Sequence, residues 1–269
     1  MSAKIIVYTN HKGGTGKTTT ATMTGLGFSR KGLKTLLLDL DPQANATDLY
    51  FKTKTLITEK VESFDTTLLK AIQNQDLASA IVKLNNNLDF IPSSADFSLY
   101  PRYMEDMFED YTERVKYLST LIEPLREQYD IIIIDLPPTI SLITDSALYA
   151  CDWAIPVMQT HERSYQGIES VIDYMQNTII NEFKAPNLQI LAILAVLLKN
   201  GAPIDISTLK QAKDEFGEDN FFKTTVRNME RLKRYDVTGV TSKDQYDKKV
   251  SAVYDGIVTE IIERMGDNK

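Results

Sequence analysis

The sequence predicts an α/β fold: a mostly parallel twisted sheet with helices on both faces. Three observations predict it. Short apolar runs alternate with amphipathic stretches almost to the end of the chain. Several of those runs are apolar throughout, as strands covered on both faces should be. A glycine-rich turn joins the first run to the first helical pattern. With 269 residues, 43% of them hydrophobic and 25% charged, one domain over residues 1–269 is expected. A chain of this length can bury roughly 70–75% of its unfolded surface and needs no disulfide or metal to hold a core.

In chain order, the run Ile5-Ile6-Val7-Tyr8 predicts a strand over 5–9; it is too short for the apolar segment of a signal peptide. A helical pattern follows over 18–31, then a strand over 35–40 around Leu36-Leu37-Leu38. Residues 50–62 have the least orderly pattern and read as a connection to the rest of the chain. A helix over 65–73, a strand over 88–91 and a long helical period over 103–128 come next. Four consecutive isoleucines make 131–135 a buried central strand. Helices over 142–150, 164–183 and 206–216 alternate with strands over 153–158, 188–198 and 221–226. The last helix, 247–265, carries an apolar face of Val253, Ile257, Val258, Ile261, Ile262 and Met265 and is expected to pack on the sheet.

Composition excludes several classes. One cysteine, Cys151, supports neither a disulfide framework nor a paired-thiolate metal site, and fits a reducing setting. No apolar run approaches the roughly 18 residues of a membrane span, so a cytoplasmic protein is expected. Net charge is −7, unfavourable for a nucleic-acid binder, but unevenly spread. Residues 223–249 hold eight basic residues against four acids, a local +4.

The strongest signal follows the first strand: Lys12-Gly13-Gly14-Thr15-Gly16-Lys17-Thr18-Thr19. Strand, tight glycine turn and helix N-terminus together make a phosphate cradle, because glycines let backbone N–H groups approach the anion. Lys17 would reach the β- and γ-phosphates and the Thr18 hydroxyl would ligate Mg²⁺. A glycine turn that merely caps a helix is the bland alternative. Two carboxylates end strands nearby. Asp41 follows Leu36–Leu40 and precedes Pro42, where a turn-forming role competes with a catalytic one. Asp135 emerges from the isoleucine strand ahead of Pro137-Pro138 and is the candidate for holding the hydration shell of Mg²⁺.

With Lys12 ahead of the glycine pair, and His11 where the ordinary phosphate loop has glycine, the loop resembles the deviant Walker A motif of the ParA/MinD superfamily of P-loop NTPases. The segment Asp39-Leu40-Asp41-Pro42-Gln43-Ala44-Asn45-Ala46-Thr47 is similar to the corresponding stretch of ParA proteins, as are Ile91-Pro92-Ser93-Ser94, Ala150-Cys151-Asp152 and Val226-Arg227-Asn228. The closest likeness is to short, Soj-like ParA proteins that lack an N-terminal helix-turn-helix domain; Thr225-Val226 departs from the usual Ile-Pro. The resemblance implies ATP and Mg²⁺ as ligands and nucleotide contacts from Lys12, Gly13, Gly14, Thr15, Gly16, Lys17, Thr18 and Thr19. Asn200 is a weaker candidate near the base. It further implies a catalytic set of Lys12, reaching across a dimer interface, Lys17, and Asp41 on the attacking water.

The same resemblance implies an ATP-bound homodimer that grips double-stranded DNA without reading its sequence. A ParB-type centromere-binding protein would stimulate an otherwise slow ATPase, plasmid or chromosome segregation would be the role, and the ATP form would associate with the nucleoid. Arg227, Arg231, Lys233 and Arg234 are the candidate DNA contacts, although such a cluster is also what a solvated helix face looks like. Two other classes stay open. A metabolic P-loop enzyme would have no need of Lys12, and a MinD-like or cargo-positioning ATPase would dimerise on ATP without using DNA. The last helix lacks the basic character of a membrane anchor, so no membrane partner is expected.

Overall fold

The structure is a computed structural model and describes residues 2–61, 63–160, 164–199 and 202–267. Among these, nine strands form one sheet. They are β1 (Lys4–Thr9), β2 (Thr35–Asp39), β3 (Val82–Lys83), β4 (Leu88–Ile91), β5 (Ile131–Asp135), β6 (Trp153–Gln159), β7 (Gln189–Ile190), β8 (Leu194–Leu198) and β9 (Val226–Arg227). The order is β3-β4-β2-β5-β1-β6-β8-β9, with β7 paired to the start of β6. All pairings are parallel except β3 with β4 at the edge.

Because side chains alternate across a strand, the central strands feed two cores. Ile5, Val7, Leu36, Leu38, Ile132 and Ile134 face one side. Ile6, Tyr8, Leu37 and Ile133 face the other. The helices are α1 (Lys17–Arg30), α2 (Asn45–Thr58), α3 (Leu68–Gln73), α4 (Tyr100–Met107), α5 (Tyr111–Ile122), α6 (Leu142–Ala150), α7 (Ser164–Tyr174), α8 (Pro203–Phe216), α9 (Glu230–Thr238) and α10 (Gln245–Asp267). The apolar face of α10 is buried through Val250, Tyr254, Ile257, Val258 and Ile261 in the core that α1 also lines, with Val253 and Met265 partly buried, whereas Ile262, expected on that face, is exposed. No described helix is long and apolar enough to cross a membrane.

Four expectations need correction. Residues 50–62 are not the least orderly segment, since α2 runs to Thr58. Its buried Ala46, Leu49, Tyr50 and Thr53 have helical spacing, hidden in the sequence by the neighbouring threonines and lysines. The single helix over 103–128 is interrupted. The chain turns extended at Phe108, Asp110 caps α5 by accepting from the Glu113 N–H at 3.0 Å, and Pro124 opens a short 3₁₀ turn. The strand over 188–198 divides into β7 and β8. The strand over 221–226 shrinks to β9 plus a bridge between Phe221 and Ile193.

Parallel pairing places Thr9, Asp39, Asp135, Gln159 and Leu198 at one edge of the sheet. The loops that follow them converge there, at the carboxyl edge where open α/β sheets bind ligands.

Candidate nucleotide site

The phosphate loop leaves β1 at Asn10, whose side chain fixes it twice. Asn10 Nδ2 donates to the Val157 carbonyl at 2.7 Å and Oδ1 accepts from the Lys12 N–H at 2.8 Å. Gln159 Nε2 donates to the Gly14 carbonyl at 2.7 Å, so β6 supports the loop from its own end. Gly14 and Gly16 have φ of 70° and 83°, a region costly to residues with a Cβ, which accounts for glycine at both places.

Lys17, at the first turn of α1, is 5% exposed and folds over its own loop. Its ammonium donates to the carbonyls of Asn10 and Lys12, each at 3.0 Å. Burial lowers its pKa, and the carboxylates of Asp135 and Asp41 act against that shift. Thr18 and Thr19 are half-buried beside it.

Two acids face each other in register on adjacent strands: Asp39 of β2 and Asp135 of β5, both fully buried. Asp39 is well served, accepting from the Thr47 N–H at 2.9 Å, the Thr47 hydroxyl at 2.7 Å and the Asp41 N–H at 3.1 Å. Burial nonetheless pushes it up to about 6. Asp135 differs, because neither carboxylate oxygen has a hydrogen-bond partner within the chain. Burial, reinforced by the charge of Asp39, pushes it well above the carboxylate range, with Thr18 and Lys17 opposing. An unpartnered buried carboxylate is expensive and calls for a cation or an ordered water shell. The donor set fits Mg²⁺, a hard cation that keeps several waters and takes few protein oxygens.

Asp41, 6% exposed, is held by its own N–H to Asp39 and by accepting from the Gln43 N–H at 2.9 Å. It borders a cavity of about 680 Å³ together with Gly13–Thr19, Leu136 and Pro138. A narrower slot of about 100 Å³ adjoins it, lined largely by Val196, Val226, Met229, Leu232 and Tyr254. The two share Gly16, Thr19, Leu197, Lys233 and Asp236. Asp48 of α2 and Asp236 of α9 also border the cavity without having been singled out in the sequence, and Asn45, from the ParA-like stretch after Asp41, joins them at the start of α2. Nothing local in the sequence marked Asp48 or Asp236.

The site residues expected from the sequence divide into groups. Gly13, Gly14, Thr15, Gly16, Lys17, Thr18, Thr19 and Asp41 come together at one end of the cavity, and Asp135 lies buried behind them, close to Thr18 and Lys17. Lys12 is exposed and lies along α7 of its own chain, its Cε 3.9 Å from where a Cβ on Gly167 would stand. Asn200 lies outside the described residues. The four basic residues near the C-terminus do not form one face. Arg231 has a side chain only 14% exposed, paired with Asp244 and with the buried Asp247 at 3.4 Å, and lies over the Tyr246 ring. Lys233 pairs with Glu230 at 2.8 Å and borders the cavity. Arg227 and Arg234 are exposed. His11, which stands where the ordinary phosphate loop has glycine, meets Tyr174 edge-on at 5.5 Å.

A phosphate loop with a buried lysine, a hydroxyl at the first helical turn and an unpartnered strand-end aspartate define a P-loop nucleotide-binding protein. The sequence comparisons narrow the class. The AAA domain family AAA_31 matches residues 3–190. A virulence plasmid ParA family protein of Chlamydia psittaci is 31% identical over 199 residues, covering 71% of this chain and 68% of that protein. The sporulation initiation inhibitor protein Soj of Bacillus subtilis is 27% identical over 237 residues, covering 85% and 86%. Among solved structures, a complex of Cyanothece McdA with ATP superposes with a TM-score of 0.80 over 97% of both chains at 22% identity, a likeness of fold. The chain belongs to this AAA domain family and, within it, to the Soj-like ParA proteins of the ParA/MinD superfamily.

Proposed function

We propose that this protein is a ParA-type partition ATPase whose ATP-bound form dimerises, binds duplex DNA without sequence preference and is reset by partner-stimulated hydrolysis. The observation that carries the reading is Asp135, a fully buried carboxylate with two unpartnered oxygens one strand away from Asp39 and beside Lys17. Such a group is destabilising alone and is explained by Mg²⁺ and a triphosphate. Thr18 would hold the ion directly and Asp135 through water; the ion would supply charge neutralisation of the phosphates.

Loop N–H groups from Gly13 to Thr19 would bind the phosphates, and Lys17 would exchange its two carbonyl partners for phosphate oxygens. Asp41, held by Asp39 and Gln43, would orient the attacking water. The loop after β5, in which Pro138 lies 3.8 Å from where a Cβ on Gly13 would stand, would respond to the γ-phosphate. Lys12 would leave its own α7 to reach the nucleotide of the second subunit. A ParB-type protein would be the stimulating partner, plasmid or chromosome segregation the purpose, and the nucleoid the location of the ATP form. Arg227 and Arg234 are the proposed DNA contacts, since both are exposed while Arg231 is turned inward onto Asp247.

The test is equilibrium binding of non-specific duplex DNA with ATP, ADP and no nucleotide. Binding only with ATP, weakened by salt, supports the proposal. ATP-dependent dimers that ignore DNA would establish the cargo-positioning reading instead.

A further inference from the structure

We propose that Asp236 and Lys233, one turn apart on α9, form a sugar and α-phosphate clamp for the nucleotide, so that the site distinguishes ribose from a sugar without the 2′ and 3′ hydroxyls; the assignment rests on the nucleotide reading above. The argument is geometric. The loop end of the larger cavity is built for phosphates, and the small apolar slot between α1, α9 and β8 suits a flat base. A nucleotide that spans the two must place its sugar where they meet. The residues common to both are Gly16, Thr19, Leu197, Lys233 and Asp236.

A carboxylate at that junction repels phosphate and has no hydrogen to give, so the groups it can recognise there are donors. The ribose hydroxyls are the donors a nucleotide brings to its middle. Positions i and i+3 of a helix share a face, so Lys233 borders the same junction as Asp236 and would exchange its pairing with Glu230 for a phosphate oxygen. The turn carrying Asp236 is also fixed from outside: Lys52 of α2 donates to the Asp236 backbone carbonyl at 2.6 Å. That anchor uses the main chain, so replacing the Asp236 side chain leaves it intact. Lys233 thereby belongs to the nucleotide and not to a DNA face.

The experiment is calorimetric binding of ADP and 2′,3′-dideoxyADP with Mg²⁺ to the wild type, Asp236→Ala and Lys233→Met; the diphosphates avoid hydrolysis. The wild type should prefer ADP over the dideoxy analogue about tenfold, the worth of a hydrogen bond to a charged group. Asp236→Ala should bind ADP as weakly as the dideoxy analogue and leave binding of the analogue unchanged. Lys233→Met should weaken both nucleotides by the same factor. Equal wild-type affinity for the two nucleotides, or equal losses in Asp236→Ala, would overturn the clamp while leaving the phosphate site standing. Unchanged ADP binding by Lys233→Met would overturn the role of that lysine. Failure of the wild type to bind either nucleotide would overturn the phosphate reading and the clamp together.

Discussion

Replacing Arg231 by alanine should damage the fold more than it damages DNA binding. The guanidinium lies over Tyr246 and closes a network around Asp247, which is fully buried. Burial pushes Asp247 upward, but the hydroxyls of Tyr235 and Thr241 and the N–H groups of Lys243 and Asp244 outweigh it and hold the carboxyl at about 2. Those four donors survive the substitution. The loss should therefore fall below the ~3–5 kcal/mol of a stranded buried charge and above the ~0–1 kcal/mol of a surface pair. About 2 kcal/mol is the resulting figure. With a urea slope of about 3 kcal/mol/M, the unfolding midpoint should drop by about 0.7 M. Arg234→Ala, on the exposed side of α9, should move stability by less than about 0.5 kcal/mol and reduce the log–log salt slope of DNA binding by about 1. Urea unfolding and a salt series on the same two variants separate the cases. A full-length midpoint unchanged in Arg231→Ala, with a salt slope lowered as in Arg234→Ala, would refute the reasoning.

Other consequences follow from the acids and from one glycine. Asp39 has its folded pKa raised to about 6 from 3.8, so the folded state binds the extra proton. Its contribution is complete below about pH 3.8 and is lost as pH rises through about 6, and Asp39→Asn should flatten that part of a stability–pH profile measured by urea unfolding. Asp135→Asn should raise Tm without ligand by about 2–4 °C for each kcal/mol of relieved burial cost, while abolishing the further rise that Mg²⁺ with ATP gives the wild type. A variant that keeps the Mg²⁺-dependent shift would remove Asp135 from the metal site. Gly239→Ala should cost about 2 kcal/mol or more in chemical unfolding, because its φ is +78° and a Cβ would stand 2.7 Å from backbone atoms of Lys52 and Thr53. Wild-type stability in that variant would contradict the close packing of α9 on α2.

The parts legible in the sequence are those where local pattern and tertiary role agree. β1, β2, β4, β5 and β6 are apolar runs because they are buried on both faces, and Gly14 and Gly16 are glycines because their backbone is left-handed. Asp41 and Asp135 stand out because charge at the end of an apolar strand is costly. Elsewhere the determinants are not local. Tyr50, between Leu49 and Phe51, is buried and donates to the Thr22 carbonyl at 2.8 Å, a contact across 28 residues that no local pattern announces. The break at Phe108 interrupts a continuous helical period because Asp110 offers a cap. Arg231 and Arg234 look alike in the sequence, and only the docking of α9 against the start of α10 turns one inward and leaves the other in solvent. Asp236 became a candidate only when α9 was placed beside the phosphate loop.

The central claim is an ATP-operated dimer switch on DNA, and Lys12 is its most direct test. Binding to non-specific duplex DNA should be measured with ATP, ADP and no nucleotide, over a salt series, for the wild type and Lys12→Ala. The account predicts salt-sensitive binding by the wild type with ATP alone, and its loss in Lys12→Ala although that variant still binds ATP. DNA binding that is indifferent to nucleotide, or that survives intact in Lys12→Ala, would contradict it.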